Sequence, residues 1–187
     1  MPYISGNHRR RSIRLTGYNY SQAGAYFVTI CAHQRLCLFG DVVAGEMRLS
    51  DRGQVVADIW GKIPEHHPHV KLDAFVVMPN HVHGILHIVR RGTACRAPTD
   101  RIERFGQPVP GSIPTIVRSF KSAVTKRINE IKGTSGQLLW QRNYYEHVIR
   151  TQDDLDDIRQ YILGNPAKWS EDQENPQNIG LDGTPTT

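Results

Sequence analysis

The stretch that most constrains the fold of this chain runs from residue 75 to residue 88. It reads FVVMPNHVHGILHI, an apolar run that reaches a Pro-Asn turn signal and returns as an alternating run. This pattern predicts two antiparallel strands joined by a tight connection. Side chains of a strand alternate between its two faces, so we expect His81, His83, Ile85 and His87 on one face and a core face formed by the residues between them.

Two imidazoles at the mouth of this hairpin are candidate ligands for one divalent cation. His81 and His83 would lie side by side on a rigid support. At this spacing two histidines are more often half-exposed strand residues, so a metal site needs a third ligand from elsewhere in the chain. A second histidine-rich stretch, residues 66–69, contains Pro68 at a helix-to-strand junction and is predicted to be a loop that does not bind metal.

The composition is that of one globular domain with a positive charge balance. The 187 residues are 39% hydrophobic, which is enough for a core, and the formal net charge of +5 favours a polyanionic partner. No apolar run reaches the length of a membrane span, so we expect a cytoplasmic protein without a membrane partner. The three cysteines have no CxxC spacing and suggest neither a disulfide framework nor a zinc site.

Periodicity, caps and turn signals predict the remaining elements. Strands are expected at 25–32, 70–77, 81–89 and near 146–149, a small hairpin at 38–49, and helices at 51–63, 113–132 and 151–165, with Ser50, Ser112 and Thr151 as caps and Pro64 and Pro166 as stops. This order matches the split βαβ, ferredoxin-like α+β pattern of an antiparallel sheet with two helices on one face. The other face is left for the last helix and a ligand.

The last helix carries a stripe in which Asp154, Ile158, Tyr161 and Asn165 follow one another at helical spacing. Tyr161 and Asn165 are therefore neighbours, and this face could lie against the histidines of the sheet. The pair then supplies a candidate nucleophile and a candidate oxygen ligand. From the residues alone, the favoured interpretations are a packing role for Tyr161 and a helix-terminal role before proline for Asn165.

Three separated motifs, in matching order, resemble the transposases of the HUH single-tyrosine superfamily. They are VMPNHVH at 77–83, LWQRNYYEHVIR at 139–150 and YILGNP at 161–166. Within the superfamily the chain looks most like the REP-associated tyrosine transposases. The resemblance covers about residues 20–169, which leaves 1–19 as a basic N-terminal arm and 170–187 as a tail predicted to be disordered.

The resemblance implies a metal-dependent DNA strand transferase. Proteins similar to this one bind Mg²⁺ or Mn²⁺, and their ligand positions match His81, His83 and Asn165, with Tyr161 as the nucleophile. Relatives often have glutamine where this chain has Asn165, so the shorter amide must lie closer to the metal or reach it through water. Attack by the tyrosine on single-stranded DNA leaves a 5′-phosphotyrosine linkage and a free 3′-hydroxyl, and a second 3′-hydroxyl can reverse the step without ATP.

The expected partner is hairpin-forming single-stranded DNA of palindromic repeats, which would make the protein nucleoid-associated. Candidate DNA contacts are Arg9, Arg10, Arg11 and Arg14 of the arm, Arg118 and Lys121 of the second main helix, Arg142 and His147. The arm is equally a solvated tail, and His147 is equally a structural residue. Three tyrosines, Tyr18, Tyr20 and Tyr144, are candidates for stacking on unpaired bases.

Several alternatives stay open at this point. Tyr144 and Tyr145 are rival nucleophiles, although neither has a polar partner one helical turn later. The chain could also be a chromosomal hairpin-binding protein that keeps the fold without strand transfer. A rolling-circle initiator or relaxase ranks last, because the chain is short and lacks a helicase motif. The sequence leaves monomer and homodimer undecided.

Overall fold

The computed structural model describes residue 15 and residues 17–89, 109–134, 136–172 and 174–178. The arginines of the basic arm and the predicted loop from residue 90 to residue 108 lie outside the described residues. Within the described parts of the chain, no helix combines the length and the apolar character that a bilayer crossing needs.

The described elements follow the predicted order closely. They are β1 (Gly24–Cys31), β2 (Gly40–Val43), β3 (Glu46–Leu49), α1 (Asp51–Gly61), α2 (Ile63–His66), β4 (Val70–Val77), β5 (His81–Ile88), α3 (Ile113–Lys132), β6 (Tyr145–Ile149) and α4 (Gln152–Gly164). Short 3₁₀ turns occupy His33–Arg35, Pro166–Glu171 and Pro176–Asn178.

Four strands form one antiparallel sheet in the order β4-β5-β1-β6, and β2 and β3 form the separate small hairpin. This strand order is the ferredoxin-like arrangement, in which one helical connection follows β1 and another follows the β4–β5 pair. The predicted α+β fold class is therefore confirmed. Strand β5, which carries the His-x-His motif, is central and pairs with β1 on one side and β4 on the other.

Helix boundaries follow from local capping chemistry. The hydroxyl oxygens of Ser50, Ser112 and Thr151 each accept a hydrogen bond from a first-turn backbone N–H, at 3.2, 3.4 and 3.1 Å respectively. The predicted helix 51–63 ends early, at Gly61, and Pro64 lies in the first turn of α2 instead of acting as a stop. Proline is tolerated there because first-turn N–H groups have no partner within the helix.

Helices α1 and α3 cover one face of the sheet, as predicted. Trp60 of α1 stacks on Phe75 with ring centroids 4.6 Å apart and meets Phe120 of α3 edge-on. Gly84 of β5 lies directly beneath this indole, and a Cβ at that position would overlap the Trp60 ring. The core face of β5 is thus the face without the histidines.

Helix α4 lies on the opposite face over a smaller apolar cluster. Leu155 and Ile162 of α4 pack there against Phe27, Ile85 and Ile149 of the sheet. This face is the one that carries His81 and His83, so α4 brings Tyr161 to the histidine side of the sheet.

The first part of the predicted disordered tail is ordered. Asn175 is buried; its amide donates to the Trp169 carbonyl at 2.9 Å and its Oδ1 accepts from the Gln177 N–H at 3.1 Å. Glu174 pairs with Arg35 at 2.8 Å. Hydrogen bonds and an ion pair of polar side chains hold this segment in place. Such contacts produce no apolar periodicity, so the order of the segment could not be predicted from the sequence pattern. Residues 179–187 lie outside the described part.

Candidate active site

The two histidines of β5 form the centre of the site. His81 is 0% and His83 is 3% exposed, and their Nε2 atoms lie 2.9 Å apart. Their positions follow from strand geometry, because residues i and i+2 of a strand point to the same face.

Hydrogen bonds on the far side of each ring fix how the imidazoles point. Nδ1 of His81 lies 2.8 Å from Oδ1 of Asn80; since an amide oxygen only accepts, Nδ1 carries the proton and Nε2 keeps its lone pair. Nδ1 of His83 lies 2.9 Å from the Thr29 hydroxyl, which can accept in the same way. Such outer partners typically orient histidines that ligate metals.

Both imidazoles are neutral at neutral pH. Burial lowers the pKa of His81 well below its usual value, and nearby His83 and Arg35 lower it further. Burial lowers the pKa of His83 to about 3. The neutral imidazole is the form that binds metal ions.

Asp172 adds a carboxylate to this pair. Its Oδ2 lies 3.9 Å from Nε2 of His81, and one ligand atom from each of Asp172, His81 and His83 falls within 4.8 Å of the others. Burial raises the pKa of this carboxyl. The three residues form a group that could hold a metal ion.

The separation of the two imidazole nitrogens fits adjacent ligand positions on an octahedral divalent ion. Adjacent ligands bonded to such an ion at about 2.1 Å lie about 3 Å apart, and the two Nε2 atoms are 2.9 Å apart. Imidazole favours the later transition metals, whereas carboxylate favours Mg²⁺ and Mn²⁺. The mixed set of donors could therefore hold several divalent ions and does not select one.

Asp172 could not be predicted from periodicity because it lies beyond the last periodic element. The 3₁₀ turn that carries the chain back to the site has no spacing rule comparable to that of an α-helix. The available signal was Trp169, since large aromatic residues are depleted in disordered segments. Its ring centroid lies 6.1 Å from that of His81.

Asn165 is the oxygen ligand predicted from the sequence. Its side chain is buried, and its amide lowers the pKa of both Tyr161 and Asp172. No donor among the described residues reaches its Oδ1. A buried amide oxygen without a donor is destabilising, and a cation or an incoming donor would satisfy it.

Tyr161 is accessible and close to the histidines. It is 49% exposed, and its hydroxyl lies 3.3 Å from Nε2 of His83 in the same chain. Its ring packs edge-on against Phe27 and His83, with centroids 6.1 and 5.2 Å away. Partial burial, followed by the charge of Asp172, raises its pKa, so the phenol is protonated at neutral pH.

The rival tyrosines lie in different surroundings. Tyr144 packs against the helix-covered core, where Lys121 Nζ lies 5.7 Å from its ring centroid. Tyr145 is exposed on the histidine side of the sheet and packs edge-on against Phe27 at 6.3 Å.

Some of the predicted DNA contacts are exposed, and others already have partners within the protein. Arg118 and Arg142 are exposed. Lys121 donates to the carbonyls of Gln141 and Asn143 at 2.9 and 3.1 Å, which ties α3 to the segment before β6. His147 pairs with an aspartate at the start of α4, at 2.9 Å.

The tyrosines proposed for base stacking are mostly committed to packing. Tyr18, Tyr20 and Tyr26 form an aromatic cluster with centroids 4.8 to 6.5 Å apart, and Tyr20 is buried. Tyr20 therefore does not offer a free ring face to a base, and that expectation was wrong.

Comparison with known proteins places this site in context. A solved structure of a REP-associated tyrosine transposase bound to a REP hairpin is similar to this chain, with a TM-score of 0.54 and 19% identity over 90% of this chain and 86% of that one. The likeness shows that the two chains share a fold, and at the level of the fold the resemblance inferred from the motifs is confirmed. No family model matches the chain.

A protein of Haemophilus influenzae, described as uncharacterized, is 42% identical over 175 residues, which cover 91% of this chain and 96% of that protein. The chain belongs to the family of this Haemophilus influenzae protein.

Proposed function

We propose that the protein is a divalent-metal-dependent transposase that cleaves and rejoins single-stranded hairpin DNA through Tyr161. The observation that supports this most is the placement of the Tyr161 hydroxyl 3.3 Å from Nε2 of His83, beside a group of side chains that could hold a metal ion. Covalent phosphoryl transfer needs a nucleophile beside the place where a metal ion would polarise the phosphodiester, and this placement provides it.

The proposed metal ligands are His81, His83 and Asn165, joined by Asp172. The amide of Asn165 lowers the pKa of Asp172, and Oδ1 of Asn165 accepts from no described donor. Bound Mg²⁺ or Mn²⁺ would polarise the scissile phosphodiester and neutralise charge that develops in the in-line transition state.

The strand-transfer step involves Tyr161 alone as the covalent residue. Its phenolic oxygen attacks phosphorus, a P–O bond forms to the tyrosine, and the P–O bond to the 3′ oxygen breaks. The products are a 5′-phosphotyrosine linkage and a 3′-hydroxyl, which takes up a proton. Because the pKa of Tyr161 is raised, its own proton must be removed as the attack proceeds.

The proposed substrate is a folded single strand with a hairpin. The similar solved transposase was bound to a REP hairpin. The proposed phosphate contacts in the described part of this chain are the exposed Arg118 and Arg142, with His147 next to the start of α4. The arginines at 9–14 are proposed to add contacts from the N-terminal arm.

The test is a cleavage assay on labelled hairpin-forming single strands taken from repeats that flank the gene. The purified protein is incubated with Mn²⁺, Mg²⁺ or EDTA and analysed on a denaturing gel. We expect a metal-dependent band of protein-linked DNA that is absent for Tyr161→Phe. The matched control is Tyr145→Phe, an exposed tyrosine on the same side of the sheet, which should keep the band. A band that persists in Tyr161→Phe refutes the assigned nucleophile.

A second candidate is a hairpin-binding protein without strand transfer. The observation that favours it is the burial of His81 and His83 beneath the residues after α4. This candidate predicts a native gel shift that is indifferent to metal and to Tyr161→Phe, and no covalent product with any ion.

A further inference from the structure

A cluster outside the metal group joins α4 to the edge strand β4. The Asp73 carboxylate lies 3.0 Å from Nε and 2.6 Å from Nη2 of Arg159, 2.9 Å from Nε2 of His87, and 2.7 Å from the Ala74 backbone N–H. We call Asp73, His87 and Arg159 the Asp73 clasp. A two-pronged arginine–carboxylate pair fixes direction as well as distance.

An irregularity in the sheet supplies the position of Asp73. Leu72 pairs with Leu86 and Phe75 pairs with Gly84, so Asp73 and Ala74 together stand opposite the single residue Ile85. Such a bulge restarts the alternation of side chains and redirects them. Phe75 thereby returns to the Trp60 side, whereas Asp73 and Ala74 face α4.

The clasp and the nucleophile lie on opposite flanks of one helix. Arg159 and Tyr161 are two residues apart in α4, which is about 200° around the helix axis. Between them Leu155 and Ile162 pack on the sheet. Arg159 therefore contacts β4 while Tyr161 reaches His83 on β5.

This arrangement couples helix rotation to the reach of the nucleophile. A tyrosine hydroxyl on an α-helix lies roughly 9 Å from the helix axis, so a rotation of about 10° moves it by about 1.5 Å. A displacement of about 1 Å can slow a positioned reaction about a hundredfold. An apolar stripe alone permits such rotation, because hydrophobic contacts are not directional.

We infer that Asp73 and Arg159 are positioning residues, which set the rotation of α4 and so place the Tyr161 hydroxyl at the histidine pair. This inference rests on the proposed function, since it concerns the rate of the Tyr161 reaction. It also concerns the ground-state environment of Tyr161, which can be measured without any reaction.

The test combines single-turnover cleavage with ¹⁹F NMR of protein that contains 3-fluorotyrosine. Tyr161→Phe assigns the Tyr161 resonance among those of the seven tyrosines. In Arg159→Ala we expect that resonance to shift and broaden, cleavage to slow about 10- to 100-fold, and hairpin affinity to change less than about threefold. Arg159→Lys keeps the charge but not the fork and should be intermediate.

The matched control is Asp156→Asn. Asp156 is the other carboxylate partner of Arg159, at 2.8 Å. It belongs to α4 itself, so this pair does not join the helix to the sheet. It should leave both readouts unchanged. If the Arg159→Ala protein does not fold, Asp73→Asn is used in its place. For Asp73→Asn we expect the same shift of the Tyr161 resonance and about a tenfold slower cleavage.

The outcomes separate the two hypotheses. Unchanged cleavage and an unchanged Tyr161 resonance in a folded Arg159→Ala or Asp73→Asn protein overturn the positioning role. A wild-type protein that never cleaves refutes the proposed function. In that case the Tyr161 resonance of the variants still tests whether the Asp73 clasp positions Tyr161. Loss of rate with an unmoved resonance also counts against the clasp, because it assigns Arg159 to the substrate.

Discussion

Replacing Asp172 by asparagine should weaken Mn²⁺ binding about 10- to 100-fold. This change keeps the size of the side chain and removes its charge. At an effective dielectric constant of about 20, a carboxylate about 4 Å from a divalent ion attracts it by about 8 kcal/mol. Desolvation of a buried carboxylate takes back several kcal/mol of this attraction. A net loss of about 1.4–2.8 kcal/mol corresponds to the expected fold-change.

Isothermal titration calorimetry with Mn²⁺, and quenching of tryptophan fluorescence by Mn²⁺, measure this affinity. The second readout is sensitive because the ring of Trp169 lies 6.1 Å from that of His81. Glu174→Gln is the matched control. Glu174 belongs to the same C-terminal segment but contacts Arg35 and Cys31, and it is not among the grouped ligand atoms.

Two results would refute the reasoning. Equal Mn²⁺ affinity for wild type and Asp172→Asn would remove the carboxylate from the ligand set. An equal loss for Asp172→Asn and Glu174→Gln would mean that docking of the segment matters and that Asp172 has no individual role as a ligand.

Two further predictions concern stability. Gly84→Ala should destabilise the protein by about 2–3 kcal/mol in urea unfolding, because the new methyl overlaps the enclosed Trp60 ring; Gly61→Ala, which meets nothing within 4 Å, is the control and should be neutral or stabilising. The Arg159 guanidinium holds the pKa of Asp73 well below its usual value. The clasp should therefore stabilise the fold above about pH 4, the unfolded value, and lose that contribution as pH falls through the lower folded value. The gap in unfolding free energy between wild type and Asp73→Asn should shrink from pH 6 to pH 3, and a constant gap would contradict the assignment.

The elements that sequence predicted best have a signal at both ends. Helix α3 matches its predicted bounds because Ser112 caps its start and Gly133 adopts the left-handed conformation at its end. The helix predicted for 51–63 was too long because Pro64 is typical of a helix stop, although here it lies in the first turn of the next short helix. The bulge at Asp73 was not predicted, because one extra residue does not change the appearance of an extended run in the sequence.

The candidate site divides in the same way. His81 and His83 share a strand face, and Tyr161 and Asn165 share a helix face. The fixed periods of strands and helices therefore predict each pair from the sequence. In the structure the Tyr161 hydroxyl lies 3.3 Å from Nε2 of His83. Asp172 depends on a non-repeating turn held by polar contacts, for which sequence spacing carries no rule. The clasp depends on Arg159 and Asp73 meeting across 86 residues of chain.

The central place of β5 in the sheet has a further consequence for the site. His81 and His83 sit on a strand that is hydrogen-bonded along both edges, so their backbone opens only when the sheet itself comes apart. Tyr161 sits on a helix that rests on the small cluster and the clasp. We expect this helix to open at a lower free energy than the sheet, so that sub-global opening would separate the nucleophile from the histidine pair while the pair stays assembled.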